Sequence, residues 1–215
     1  MRRTVLQNLA LATGCIAFLV GAAIVWRQFT AGPEPAFPEA LDRDLGATVI
    51  ADTNSLPAFE LIDHQGQPFS QARLLGFWTF VFFGYTSCPD ICPTTLNTLA
   101  KAVARIRAES QSAPPQIVFV SVDPARDTAE KLAQYIAYYD TTATAVTAGD
   151  DHLLPFARSL GVGFKRHDEN NSKDYLVDHT VSILLIDPKG RLYAIFSPPH
   201  DATAIARDFS RIAAR

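Results

Sequence analysis

Cysteine is scarce in this chain of 215 residues: there are three, Cys15, Cys88 and Cys92. That is too few for a disulfide-stapled scaffold, and the chain is too long to need one. Clustered basic residues are also lacking. The net charge is -3 and the pI is near 5.9, which excludes the electrostatic footprint of a nucleic-acid binder. There are no internal repeats and no low-complexity tract, so solenoids and disordered arrays are not indicated. Charged residues make up 19% and hydrophobic residues 48%, an ordinary globular balance. The length allows one domain with a short appendage.

The one long hydrophobic run decides the expected compartment. Residues 9–26 carry no charge. As a helix they would extend about 27 Å, enough to cross a bilayer core. Arg2 and Arg3 precede the run, and Trp26 sits at the depth of an interfacial aromatic. Arg27 and then Glu34, Glu39, Asp42 and Asp44 follow it. The positive-inside rule places the N-terminus in the cytoplasm and the rest on the extracytoplasmic, periplasmic side of the inner membrane. A cleavable signal peptide would have a shorter apolar stretch and a small-residue cleavage site. A lipoprotein linkage through Cys15 competes too, but that cysteine lies mid-run. The reading is therefore a membrane anchor over 1–28 and a proline-bearing linker over 29–55. A globular domain follows over 56–215, with Cys15 a small apolar residue facing lipid.

Within 56–215 the pattern alternates. Residues 59–62 suggest a short strand. Residues 77–85 (FWTFVFFGY) form a near-continuous aromatic and β-branched run, as in a strand covered on both faces. A helix is expected from Pro93, with Leu96, Leu99, Val103 and Ile106 on one stripe and the proline at the first helical position. Residues 116–122 read as a second buried strand, and 128–139 as a helix capped by Asp127 or Thr128. Residues 150–160 read as a further helix stopped by Gly161. Residues 180–186 and 191–196 flank Asp187-Pro188-Lys189-Gly190 as a hairpin, and 201–213 close the chain as a helix. Strand–helix–strand alternation implies parallel strands, and the final hairpin adds antiparallel ones. That is an α/β, thioredoxin-like layout: a mixed central sheet flanked by helices, with an insertion between Asp127 and Gly161.

Chemistry is concentrated in Gly84-Tyr85-Thr86-Ser87-Cys88-Pro89-Asp90-Ile91-Cys92-Pro93. It follows a buried strand and opens a helix, so Cys92 falls at or beside the helix N-cap, where the dipole favours a thiolate. The spacing lets Cys88 and Cys92 close a redox disulfide or share a metal. Thiolates are soft ligands suited to Cu(I), and imidazole suits copper as well. The third candidate is His179, in Asp174-Tyr175-Leu176-Val177-Asp178-His179-Thr180, at a strand start beside the first strand–helix turn. Asp90 can tune the cysteines or stay solvated. Asp178 is a candidate for orienting His179 through a hydrogen bond. His64, His152, His167 and His200 are expected at the surface.

The sequence resembles the Sco/SenC family of membrane-anchored copper proteins. The resemblance rests on residues 84–93, Ser121-Val122-Asp123-Pro124-Ala125-Arg126-Asp127-Thr128, residues 174–180 and residues 187–190, in that order. It implies that Cys88, Cys92 and His179 are copper ligands. It further implies a chaperone that assembles the binuclear copper centre of cytochrome c oxidase subunit II, loaded by another copper chaperone. Ser87 stands where the family often has histidine.

Two other classes compete. A thiol–disulfide oxidoreductase keeping subunit II cysteines reduced fits the paired cysteines. Three residues separate them, however, where thioredoxins have two, and His179 stands where thioredoxins place a proline. A peroxiredoxin-type peroxidase would want a differently placed Pro and Thr before its cysteine. A structural zinc site would need a fourth ligand.

Overall fold

The computed structural model describes residues 45–50, 54–109, 113–167 and 174–214. The apolar run 9–26 lies outside them; among the described residues no helix is long and apolar enough to cross a membrane.

Among the described residues ten strands and four α-helices follow in chain order: β1 Ala47–Val49, β2 Glu60–Asp63, β3 Pro68–Ser70, β4 Thr79–Gly84, α1 Ile91–Glu109, β5 Gln116–Ser121, α2 Ala129–Tyr139, β6 Thr144–Thr147, α3 Asp150–Ser159, β7 Phe164–Arg166, β8 Val177–His179, β9 Ile183–Ile186, β10 Leu192–Phe196 and α4 Ala202–Ala213. Eight strands make one mixed sheet in the order β1-β10-β9-β4-β5-β6-β2-β3, while β7 and β8 pair apart from it. β4 runs parallel to β5, and β5 to β6; β9 and β10 run antiparallel. The expected α/β arrangement is present: a mixed central sheet with helices.

Residue choice explains the centre of the sheet. Every residue of β4 and β9 is buried, as are five of the six in β5, which is why these strands read as unbroken apolar runs. The stripe Leu96, Leu99, Val103 and Ile106 of α1 is buried, and α1 packs against α4. Thr128 caps α2 by accepting from the Lys131 N–H, and Asp201 caps α4 by accepting from the Ala204 N–H. The turn at 187–190 is closed by the Asp187 side chain, which accepts from the Lys189 and Arg191 N–H groups, with Gly190 at a φ of +73°.

Several expectations are corrected. β1 forms inside the stretch read as linker, because Ala47–Val49 pairs with β10 despite lacking an apolar period. β6 was not foreseen: its four residues, TAVT, are too short to show a period, and pairing with β5 and β2 makes it a strand. α1 begins at Ile91, so Pro93 is its third residue. Proline is tolerated there because the first-turn N–H groups have no intrahelical acceptor. The strand expected from Thr180 begins at Ile183. His64 and His200 are half-buried, each ring bonded to a backbone group: His64 to Ala145 and His200 to the Val181 carbonyl.

Candidate metal centre

The register of the sheet brings the cysteines and the histidine together. β4 ends at Gly84, and the cysteine loop follows. β9 lies antiparallel beside β4, with Ile183 opposite Phe82. Residues just before Ile183 therefore arrive beside the loop that follows Gly84. His179, the last residue of β8, is carried there by the β7–β8 ribbon, in which it pairs with Phe164.

Cys88 and Cys92 are buried free thiols. Cys92 is the second residue of α1, and its N–H, unpartnered within the helix, donates to the Cys88 sulfur at 3.4 Å. The Cys92 sulfur lies 3.4 Å from His179 Nε2. One sulfur from each cysteine and one ring nitrogen of His179 all fall within 4.8 Å of one another, the only such three-residue group among the described residues. His179 Nδ1 lies 3.0 Å from the Thr180 carbonyl oxygen. A carbonyl only accepts, so Nδ1 is the donor nitrogen, and Nε2 is directed to the sulfurs. The rings of Phe82 and Tyr85 pack roughly perpendicular to the imidazole.

The two thiols are not equivalent. Cys88 is held down at about 4, chiefly by the hydrogen bond from Cys92, with the Cys92 and Asp90 backbone N–H groups adding to it against the opposing cost of burial. Cys92 is pushed up, first by that same bond to Cys88 and then by its burial. The surroundings therefore favour the thiolate at Cys88 over Cys92. Cys88 faces a pocket of about 310 Å3 that Tyr85, Pro89, Ile91, Leu176 and His179 also line. Cys92 lies behind it, fully enclosed. Two sulfurs and an imidazole nitrogen within 4.8 Å of one another suit a soft or borderline cation.

The two aspartates proposed as helpers divide. Asp90 acts on Cys88 through its backbone N–H, while its exposed side chain accepts from the Thr94 hydroxyl. Asp178 does not orient His179. Adjacent residues on a strand face opposite ways, and the Asp178 carboxylate lies 2.7 Å from His167 Nε2 instead. The Thr180 carbonyl takes the orienting role.

Residues missed at the sequence level surround the site. Gly84 is required for space: a Cβ there would stand 2.9 Å from the Cys92 sulfur and 2.8 Å from Phe119. Asp127, fully buried, accepts from the Thr86 N–H at 3.0 Å, the Thr86 hydroxyl and the Ser121 hydroxyl, and so pins the cysteine loop. Within the 121–128 motif it is this carboxylate that ties the two turns together. Leu176 and Ile91 are exposed apolar residues at the pocket rim.

Known proteins bear on this geometry. A model of the SCO1/SenC family matches residues 48–214. The chain belongs to the SCO1/SenC family. A Stutzerimonas stutzeri protein, named as a candidate copper-binding protein, is 35% identical over 158 residues, covering 74% of this chain and 76% of that one. The mitochondrial SCO2 homolog of Bos taurus is 33% identical over 153 residues, covering 71% of this chain and 58% of its own. This chain thus spans little more than half the bovine protein's length. The crystal structure of Arabidopsis thaliana ScoI with copper bound matches with a TM-score of 0.69 at 30% identity, covering 75% of this chain and 100% of that one. The SCO1/SenC match therefore includes every residue of the Cys88, Cys92 and His179 cluster.

Proposed function

We propose that this SCO1/SenC protein binds copper through Cys88, Cys92 and His179, and that it is a metal carrier for the binuclear centre of cytochrome c oxidase subunit II. The observation that carries the reading is the convergence of two sulfurs and His179 Nε2 within 4.8 Å. Membership of a family with copper-bound relatives supports the choice of metal. Residues 9–26 would anchor the chain in the inner membrane and the domain would work outside it. Copper is cargo in this reading. The Cys88 thiolate needs no deprotonation to receive it, whereas Cys92 must release its proton, so loading is coupled to proton release. Oxidation of the pair to a disulfide would remove both sulfur ligands.

The test is copper stoichiometry of the full chain, purified in detergent, after reduction and anaerobic dialysis. One copper per chain is expected, with loss of tight binding in Cys88→Ser, Cys92→Ser and His179→Ala while each keeps the wild-type circular dichroism. Full affinity in His179→Ala would remove the histidine from the ligand set.

A second reading has its own support. A thiol that lines a pocket beside a second, fully enclosed thiol is the arrangement of a dithiol reductant. Cys88 would attack one sulfur of a subunit II disulfide and release the other as a thiolate. Cys92, passing its proton to His179 Nε2, would then displace the Cys88–partner bond. Two electrons pass to the partner, and Cys88–Cys92 becomes the disulfide. A chain that retains no copper but reduces a subunit II disulfide stoichiometrically would favour this reading.

A further inference from the structure

The histidine is carried by a ribbon that does not pair with the main sheet. A two-stranded ribbon is barely stable by itself, so something else must set its place relative to the cysteines. The structure supplies two links, one to each strand, and both end on the loop after β5. Beside β7, Arg166 Nε donates to the Val122 carbonyl at 2.7 Å, and its other nitrogens bond the Asp150 carboxylate, both at 2.8 Å. On the approach to β8, the Tyr175 hydroxyl donates to Asp123 at 2.5 Å. Asp123 is fully buried, and its other carboxylate oxygen accepts from Arg126 Nε. The Arg126 guanidinium lies 3.5 Å from the centre of the Tyr175 ring and 5.6 Å from that of Tyr85, which packs against His179.

The same loop also holds the other half of the site, since Asp127 bonds Thr86, two residues before Cys88. Residues 121–127 thus join the cysteine loop to the histidine ribbon through two buried carboxylates.

We propose that Asp123 and Tyr175 are positioning residues, a latch that holds the β7–β8 ribbon where His179 Nε2 meets the two sulfurs and thereby sets how tightly copper is held. This rests on the three-ligand reading above. Tyr175 touches none of the three ligand atoms in the bonds described and is only half-buried, so removing its hydroxyl loosens the ribbon on its β8 side without opening the core, while the Arg166 bonds stay.

The experiment compares the full chain in detergent with Tyr175→Phe, Asp123→Asn and His179→Ala. Cu(I) affinity is read by competition with a chromogenic chelator, and nitrogen coupling to bound Cu(II) by electron paramagnetic resonance. Tyr175→Phe is expected to bind copper about 10-fold more weakly, the low end of the range for groups that orient a metal ligand, because Tyr175 acts on His179 only through the ribbon. Its nitrogen coupling should be weakened, its thiol count unchanged and its apo melting close to wild type. Should Asp123→Asn fail to fold, Tyr175→Phe decides alone. Wild-type affinity in Tyr175→Phe, with His179→Ala weakened, overturns the latch and leaves the ligand set standing. Weaker binding with full nitrogen coupling also overturns it, because the effect is then on the fold. Wild-type affinity in His179→Ala overturns the ligand set, and the latch with it.

Discussion

The two halves of the metal centre are built differently. The cysteine half grows out of β4, a strand of the main sheet buried along its whole length, and runs straight into α1. Its position follows from main-chain pairing and apolar packing. The histidine half sits on a short ribbon outside that sheet, tied down by side-chain hydrogen bonds from Tyr175 to buried Asp123 and from Arg166 to the Val122 carbonyl. One half is fixed by the core and the other is tethered to it. A metal site made this way keeps its thiols preorganised while its nitrogen ligand depends on a few polar contacts.

That contrast can be broken at the core first. Phe83 is fully buried in β4 and packs on Phe156. Phe83→Ala is expected to cost about 3–5 kcal/mol in urea unfolding, as large-to-small core substitutions do. Leu176→Ser, on the tethered half and 60% exposed, should stay within about 0.5 kcal/mol. Similar costs at the two positions would erase the distinction.

A smaller effect is expected at the junction. Gly84→Ala puts a Cβ against the Cys92 sulfur and Phe119. Overpacking of this kind costs about 1–3 kcal/mol, and the displaced sulfur should also weaken copper binding. Unfolding and chelator competition on the same sample check both. Unchanged copper affinity would show that the sulfur position is not set by this contact.

The smallest change is expected in the pH profile of Cys88. Its folded value is about 4, well below the ordinary thiol value of about 8.5. The thiolate is therefore already formed across the neutral range. Alkylation of Cys88 in the reduced apo protein should be flat from pH 6 to 8 and fall only as pH drops through about 4. A thiol of ordinary pKa would gain roughly tenfold per pH unit over that range. The sign for stability follows: a depressed folded value stabilises the fold fully above the unfolded value, and that contribution is lost as pH falls through the folded one. A tenfold rise per unit would show that Cys88 lacks its hydrogen bond from Cys92.

Much of this was legible in the linear sequence because it is local. Two cysteines four apart after an apolar run are a strand–helix turn wherever the chain folds, and the stripe on α1 follows from helical period alone. Proline and glycine marked the hairpin after β9 for the same reason. His179 could be named because topology places a strand start beside that turn, although its exact carrier, β8, is defined only by pairing with β7. What tertiary structure decided is where each polar side chain spends its hydrogen bonds. Asp178 is adjacent to the histidine yet turns away, whereas Asp123 and Asp127, more than 50 residues earlier in the chain, reach both halves of the site. Gly84 gives no sign in the sequence that its missing Cβ is the space the Cys92 sulfur occupies. Backbone pattern is set by neighbours along the chain; a buried carboxylate must be satisfied by whatever the fold brings to it, and only the folded chain specifies those partners.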